Sequence, residues 1–495
     1  MVGVWLAAVV VLRLVSVYVL PAGRHPVSGF EKIVALNSVW WMATLPAVLF
    51  GLACWLAPKR GNVRRGNTVI DDLVCFRIVS RGRNAEAVAE TVHAVRAAWT
   101  ARPLFRYRIE VVTDEPVALP EGDDVVAIVV PPSFTTPSGT KYKARALQYA
   151  LEASNLPPEA WILHLDEESH PTPGVMGGLR DFIVDCDESG VDRVGQGCIL
   201  YHRQLHENWF LTLADSLRTG DDVSRFYLQY RLGVALFGMH GSFIVVRNRI
   251  AQNSGFDVGP EGSITEDAWW ALGLLQNGVR FGWVDGFVEE QAPRTIKDFV
   301  YQRRRWYSGL WKVALYAPAP WWGRTMMALF MTAWTLSCVG VIYTFANLFL
   351  GLYTNLAVAW LAAVCFGWYM ATYIYGLHLN LRFSRTRYSR WKRMLLYSAQ
   401  VVLMPVYGVL EATGVFFAIV KPERGFHVIE KPATSCPASE RPRAFAMAGV
   451  GGRAASGVLT EPLRPRSAAP VDQPASSDSV SGKMRSNRSQ QSGQT

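Results

Sequence analysis

The sequence predicts an α/β domain, built on a mostly parallel sheet with helices on both faces and set between apolar helices. Three observations lead there. Between residues 69 and 315, short β-rich runs alternate with helical stretches, the pattern of strands joined by helical crossovers. Carboxylates follow two of those runs, and ligands of such sheets bind at the carboxyl ends of the strands. Long apolar runs stand on both sides of the region.

In chain order, residues 2–20 form an apolar run interrupted by Arg13, and a second follows at 34–57. The first lacks the basic flank of a signal peptide, so two anchoring helices are expected within 1–58. Arg13 near mid-span is costly in lipid and is expected to face a protein neighbour or snorkel. Lys59, Arg60, Arg64 and Arg65 place the end of the second run in the cytoplasm. Strand-like runs then occur at 69–79, 108–113, 125–130, 161–165, 194–201 and 242–246, with helical stretches at 84–99, 141–153 and 173–184. Apolar runs return at 326–350 and 355–377, with Tyr353-Thr354-Asn355 as an outside turn. The basic segment 382–393 belongs on the cytoplasmic side. A further run at 394–420 holds Pro405 and Glu411, and reads either as a span or as a broken, interfacial pair of helices. The tail from 433, rich in Pro, Ser, Ala, Arg and Gln without periodicity, reads as disordered. The expected divisions are therefore 1–58, 59–318, 319–432 and 433–495.

Composition agrees. Of 495 residues, 50% are hydrophobic and 18% charged, which is too apolar for an ordinary soluble enzyme. The net charge of +10 suits anionic lipid headgroups or nucleotides, and also follows from Lys and Arg gathering in cytoplasmic loops. Nucleic acid is not an expected partner beside membrane spans. The seven cysteines contain no C-x-x-C pair, which argues against a disulfide framework or a zinc site and for a reducing compartment.

Five groups of residues carry possible chemistry. Asp166-Glu167-Glu168 follows an apolar strand. Alternate carboxylates leaving a strand end can face one crevice and hold a divalent cation on a nucleotide diphosphate; a solvated acidic loop is the structural alternative. Asp114 ends another strand, where it can accept from a base or ribose, or merely start a turn. Lys141, Lys143 and Arg145 open a helical segment, either to meet diphosphate or as a solvated basic face. Thr265-Glu266-Asp267 precedes an apolar helix. It reads as an N-terminal cap, and Asp267 also as a general base toward an acceptor hydroxyl. Gln302-Arg-Arg-Arg-Trp306 offers forked phosphate donors and a flat face for a sugar ring, or an interfacial amphipathic helix.

Taken in order, these residues resemble the D-x-D, T-E-D and Q-x-x-R-W signature of family 2 glycosyltransferases. The likeness extends through most of 69–431. More narrowly the chain is similar to Egghead-type β-1,4-mannosyltransferases, through Arg77-Ile-Val-Ser-Arg-Gly82, His164–Glu168, Gly241–Phe243 and Gly262–Asp267. The resemblance implies a GT-A, Rossmann-like catalytic domain. The apolar runs and their basic flanks imply a multi-pass protein with that domain in the cytoplasm, and the Ala-, Arg- and Val-rich composition points to a bacterial plasma membrane. It implies that Ser80, Arg81 and Asp114 line the nucleotide and that Lys143, Gln302 and Arg305 meet the diphosphate. Asp166 and Glu168 would hold Mn²⁺ or Mg²⁺. Asp267 would be the base of an inverting displacement, and Glu266 and Trp306 would face the acceptor.

The chain also departs from the family. Glu168 stands where Asp is commoner, and Gln148 where many relatives have Asn. Phe426-His-Val-Ile-Glu-Lys431 resembles the F-x-V-T-x-K gating loop of processive synthases, with Ile429 for Thr. Such a loop must reach the cytoplasmic site, which implies four true crossings plus interfacial helices. The expected function is transfer of a hexose, with mannose from GDP-mannose the first choice, to a lipid-linked or glycolipid acceptor. A processive synthase that extrudes its product is the alternative, and a non-enzymatic scaffold or transporter a distant one.

Overall fold

The computed structural model describes residues 2–18, 68–350, 356–384 and 386–423, with single positions at 29, 51 and 425. The run at 34–57 with its basic flank, the turn at 353–355, the segment 426–431 and the tail from 433 lie outside the described residues.

Helix α1 (Val2–Tyr18) comes first. Then follow β1 (Leu73–Ser80), α2 (Ala85–Ala101), β2 (Arg106–Thr113), β3 (Val125–Val129), α3 (Tyr142–Ala153), β4 (Trp161–Asp166), β5 (His170–Pro171), α4 (Pro173–Ser189) and β6 (Arg193–Leu200). The chain continues through α5 (Trp209–Asp221), a π-helical turn at Asp222–Phe226, α6 (Tyr227–Arg231), β7 (Ile244–Arg247), α7 (Asn248–Ser254), α8 (Gly259–Gly262), α9 (Glu266–Gln276) and β8 (Arg280–Glu289). Helices α10 (Ile296–Tyr316), α11 (Trp321–Leu350), α12 (Leu356–Phe383) and α13 (Arg390–Val420) complete the order.

The strands form one mixed sheet in the order β3-β2-β1-β4-β7-β6-β8-β5. Strand β7 reverses between β4 and β6, and β5 reverses beside β8; the others share one direction. Both faces are covered, and β1 shows how. Val74, Phe76 and Ile78 pack against Val88 and Val92 of α2 and Leu179 of α4. Cys75 and Val79 belong to the cluster on the other face, with Leu147 and Ala150 of α3 and Trp270 of α9. Each large apolar side chain so buried contributes roughly 1.5–3 kcal/mol. A strand buried on both faces reads as a continuous apolar run, which is why β1 is recognisable in the sequence.

Strand β8 escapes that reading because Gly282 and Gly286 interrupt it. Both glycines serve close packing of α4. A Cβ at Gly282 would come within 2.8 Å of Phe182, and one at Gly286, where φ is +103°, within 2.6 Å of the Val175 amide. Helix α4 itself begins with Pro173 and ends on Gly190 in the left-handed region.

Two described segments are long and apolar enough to cross a membrane, Trp321–Ile342 within α11 and Arg390–Val420. Pro405 does not break α13, which runs as one helix of 31 residues. Its flanks are both bonded to the α/β unit. The Thr386 hydroxyl meets His206 at 2.9 Å, and the Lys421 carbonyl accepts from Arg304 at 2.9 Å. Arg13 finds a protein neighbour, its guanidinium lying 4.9 Å from the ring centre of Trp360. The cysteines among the described residues (Cys75, Cys186, Cys198, Cys338 and Cys365) are free and buried.

At the centre of the sheet Arg77 of β1 pairs with Glu110 of β2, both fully buried, through Nε at 3.0 Å and Nη2 at 2.7 Å. Ser154 donates to the other Glu110 oxygen at 2.6 Å. Arg108 stands 3.4 Å from that same oxygen, so Arg77→Met removes the closer, fully buried counter-charge and is expected to cost about 3 kcal/mol, read as a fall in the melting temperature of the purified protein. The double variant Arg77→Met/Glu110→Leu should recover most of the loss. A single variant as stable as the parent would mean that the carboxylate is not held as an ion.

Candidate active site

A cavity of about 1270 Å³ lies over the carboxyl ends of β1, β2 and β4 and reaches between α11, α12 and α13. Ser80, Arg81, Asp114, Lys143, Asp166, Glu168, Glu266, Asp267, Gln302, Arg305 and Trp306 all line it. Residues spread over more than two hundred positions thus meet at one place because parallel strands end on the same edge.

On the sheet side, Asp114 follows β2 and is held by Arg145 at 2.7 Å, whose other bonds go to the carbonyls of Pro131 and Phe134. Ser80 ends β1; its hydroxyl donates to Glu167 and accepts from the Gly82 amide at 3.0 Å. Lys143 in α3 is bonded to Asp166 and to the carbonyl of Gly241 at 2.6 Å. In the basic opening of α3, Lys143 and Arg145 turn inward to carboxylates, whereas Lys141 is exposed.

The acidic triplet departs from strict alternation. Strand β4 stops at Asp166 and the chain turns at Glu167 and Glu168, so all three carboxylates line the cavity. The Glu167 backbone is fixed by Thr91 at 2.6 Å, and that of Glu168 by Arg203 at 2.8 Å. Glu167 is a site residue that alternation alone does not select. Asp166 and Glu168 are hard oxygen donors and suit Mg²⁺ or Mn²⁺, which take one or two carboxylates together with substrate phosphates. Among the described residues no three His, Cys, Asp or Glu side chains cluster as a metal site.

The helix carrying the second acidic pair starts where expected, with Glu266 and Asp267 in its first turn. Thr265 occupies the N-cap position of α9, but its hydroxyl makes no cap hydrogen bond; it is buried beside Gly309 of α10, where a Cβ would come within 2.6 Å of it. Asp267 does the capping, with Oδ1 accepting from the Ala268 amide at 2.7 Å. Its Oδ2 lies against Gly241, where a Cβ would stand 3.2 Å from both this oxygen and Lys143 Nζ. A larger residue here would press on both side chains.

The charges here set one another. Burial raises the Asp267 carboxyl above the usual range, and its bond to Ala268 and the charges of Lys143 and Arg305 partly offset this. Burial and the neighbouring Asp267 push Glu266 up as well. Burial would lower the Lys143 ammonium, but Asp166, Glu266 and Asp267 together outweigh it and hold it above the ordinary lysine range. Arg305 is lowered by burial against the pull of Glu266 and Asp267.

Beneath the cavity, Arg303 makes a set of contacts that the sequence does not announce. It donates to Gln302 Oε1 at 2.6 Å, Asp215 of α5 at 2.8 Å and Glu411 of α13 at 2.9 Å. Its guanidinium lies 4.6 Å from the Trp306 ring centre, and Arg218 lies 4.8 Å from the same ring. Glu411, an acid within an apolar run, was the one available signal.

A model of the glycosyl transferase family group 2 matches residues 161–377. The β-1,4-mannosyltransferase egh of Drosophila melanogaster is 32% identical over 402 residues, covering 79% of this chain and 85% of its own length. The chain belongs to the Egghead-type group 2 glycosyltransferases. The β-1,4-mannosyltransferase bre-3 of Caenorhabditis elegans is 34% identical over 289 residues, 58% of this glycosyltransferase and 63% of the relative. Among solved structures, a mannosyltransferase from Pyrobaculum calidifontis in complex with GDP-Man and Mn²⁺ aligns with a TM-score of 0.44 at 13% identity, over 79% of this chain and 98% of that one.

In this glycosyltransferase, Arg303→Met leaves Asp215 and Glu411 without their shared counter-charge. The expected loss is about 3–5 kcal/mol, seen as a lower melting temperature in detergent. Unchanged melting would show that the two carboxylates do not rely on Arg303.

Proposed function

We propose that the enzyme transfers mannose from GDP-mannose, with inversion, to a lipid-linked or glycolipid acceptor at the cytoplasmic face of a membrane. The observation that carries this reading is the continuity of the cavity. The same space that holds Asp166, Lys143 and Asp267 extends between α11, α12 and α13, past Trp334, Cys338, Trp368 and Tyr369. A donor can enter at the strand ends and an acceptor with an apolar anchor from the helices. The sugar follows the named activity of the mannosyltransferase relatives. We assign the α/β region to the GT-A fold, keep the four domain divisions given above, and read α1, α11 and α12 as membrane helices. Helix α13, bonded to the α/β unit at both flanks, is read as interfacial.

In this mechanism Ser80, Arg81 and Asp114 receive the nucleoside, and Lys143, Gln302 and Arg305 the diphosphate. Asp166 and Glu168 would hold the divalent ion, which when bound neutralises charge on the departing diphosphate. Asp267 takes the proton of the acceptor hydroxyl as that oxygen attacks the anomeric carbon. The bond to the diphosphate breaks on the opposite face, so one displacement inverts the centre. Glu266 and Trp306 face the acceptor, and burial of the base excludes water that would compete for the sugar.

The processive alternative draws on one feature. After α13 the chain returns to α10, with the Glu423 amide donating to Ser308 at 3.0 Å and Glu423 pairing with Arg304 at 3.0 Å. Glu423, three positions before the resembling segment, is thus tied to the catalytic unit.

Membranes containing the enzyme, incubated with a panel of labelled nucleotide sugars and then extracted, separate the readings. Label from GDP-mannose in the lipid phase as a single added hexose supports transfer to lipid; high polymer supports the synthase. Asp267→Asn should lower turnover by roughly 10²–10⁴ in folded protein, and full activity in that variant would remove the base role. Transfer should stop in EDTA; undiminished transfer there excludes the metal role of Asp166 and Glu168. Because burial raises Asp267, kcat/KM should fall as pH is lowered through a range above that of free aspartate. Lys143→Met removes a cation that favours the ionised base, so any residual activity should show that acid limb moved to higher pH. A stationary limb would assign the titration to another group.

A further inference from the structure

His240 takes no part in the mechanism above, although it lines the cavity one residue from Gly241, against which the Asp267 carboxylate rests. It is held from several directions. Its Nε2 meets Oδ1 of Asp222, whose other oxygen accepts from the Ile199 amide at 2.9 Å. Asp222 is 1% exposed and opens the π-helical turn Asp222–Phe226, an irregularity that recurs at functional sites. The imidazole packs on Phe226, with ring centres 4.4 Å apart. Gln196 fixes the backbone, accepting from the His240 amide at 3.1 Å and donating to its carbonyl at 3.0 Å. Gln196 is held in turn by the Tyr230 hydroxyl at 2.6 Å.

A buried carboxylate on Nε2 selects the tautomer with its proton there and leaves the Nδ1 lone pair as an acceptor. Nδ1 has no hydrogen-bond partner among the described residues, and the side chain keeps 19% of its surface exposed. This part of the wall also lies toward the apolar helices. Arg225, in the same π-helical turn, stands 4.0 Å from the ring centre of Phe330 in α11, whereas the nucleotide-side residues follow β1 and β2.

We propose that His240, oriented by Asp222, accepts a hydrogen bond from the acceptor sugar beside Asp267 and thereby selects which hydroxyl reaches the base. The inference rests on the reading of Asp267 as that base. His240 is then an acceptor-binding residue and Asp222 a positioning residue. Such a constraint is a source of specificity, because a sugar with its hydroxyl elsewhere covers this partly buried acceptor without pairing it.

The test uses the full chain in detergent with GDP-mannose, Mn²⁺ and octyl β-glucoside, octyl β-galactoside and octyl β-mannoside as acceptors. His240→Ala should raise the acceptor KM about tenfold and narrow the preference among the three hexosides, with GDP affinity unchanged. His240→Asn, whose amide oxygen stands about where Nδ1 does, should recover part of the preference. Asp222→Asn should reproduce part of the loss. A folded His240→Ala protein with parental KM and preference overturns the proposal, as does a parallel loss of GDP affinity. So does a parent enzyme that neither binds nor glycosylates any of the three. Asp267→Asn in the same panel keeps the two readings apart. If it still turns over, the base assignment fails; if it is inactive while His240→Ala is unaltered, only the present inference fails.

Discussion

The arrangement depends on one buried cation. Arg303 is 2% exposed, and a guanidinium out of water must be met by charge on several sides. Asp215 and Glu411 meet it from α5 and α13, and Gln302 from its own helix. Separating these elements would strand charge in a medium of low polarity, so α5, α10 and α13 are tied at fixed separation. Gly414 permits the approach, since a Cβ there would stand 2.7 Å from that of Arg303. The consequence reaches the cavity, because Gln302 and Trp306 flank Arg303 on the same helix.

A second balance operates inside the cavity. Lys143 and Arg305 face Asp166, Glu266 and Asp267, of which Glu266 is buried and the others open onto the cavity. Burial favours the neutral carboxyls, and the two cations restore part of their acidity. A group suited to accept a proton results from that opposition. Gly241 allows it by bringing only backbone against Lys143 and Asp267. The neighbouring Phe243 takes φ of +58° with its ring fully buried, strain that the surrounding core holds in place at the edge of the site.

Much of this was readable in the chain. Strands β1 and β4 announce themselves because burial on both faces demands unbroken apolar runs, and carboxylates after such runs mark the ligand edge. The Thr265–Asp267 and Gln302–Trp306 groups each have a structural use, as a helix start and as an amphipathic helix, and only their order along the chain marked them as candidates for one site. Strand β8 was hidden by glycines whose purpose is contact with α4. The helix start at Thr265–Asp267 was readable, whereas the seating of the Thr265 hydroxyl against Gly309 was not, because that neighbour lies 44 positions away. Glu167 was passed over because alternation ends where the strand ends.

Sequence alone determined most of the sheet's strands and the candidate charged groups, since strand burial, helix starts and the residue types that carry charge are local properties. The tertiary structure decided their pairing. It set Lys143 on Asp166, Arg145 on Asp114, Arg303 on both Asp215 and Glu411, and His240 on Asp222. Each pair joins distant segments or turns on which side chains share a buried space. A charge withdrawn from water takes the partner that the fold brings within reach, and no local pattern specifies which that is.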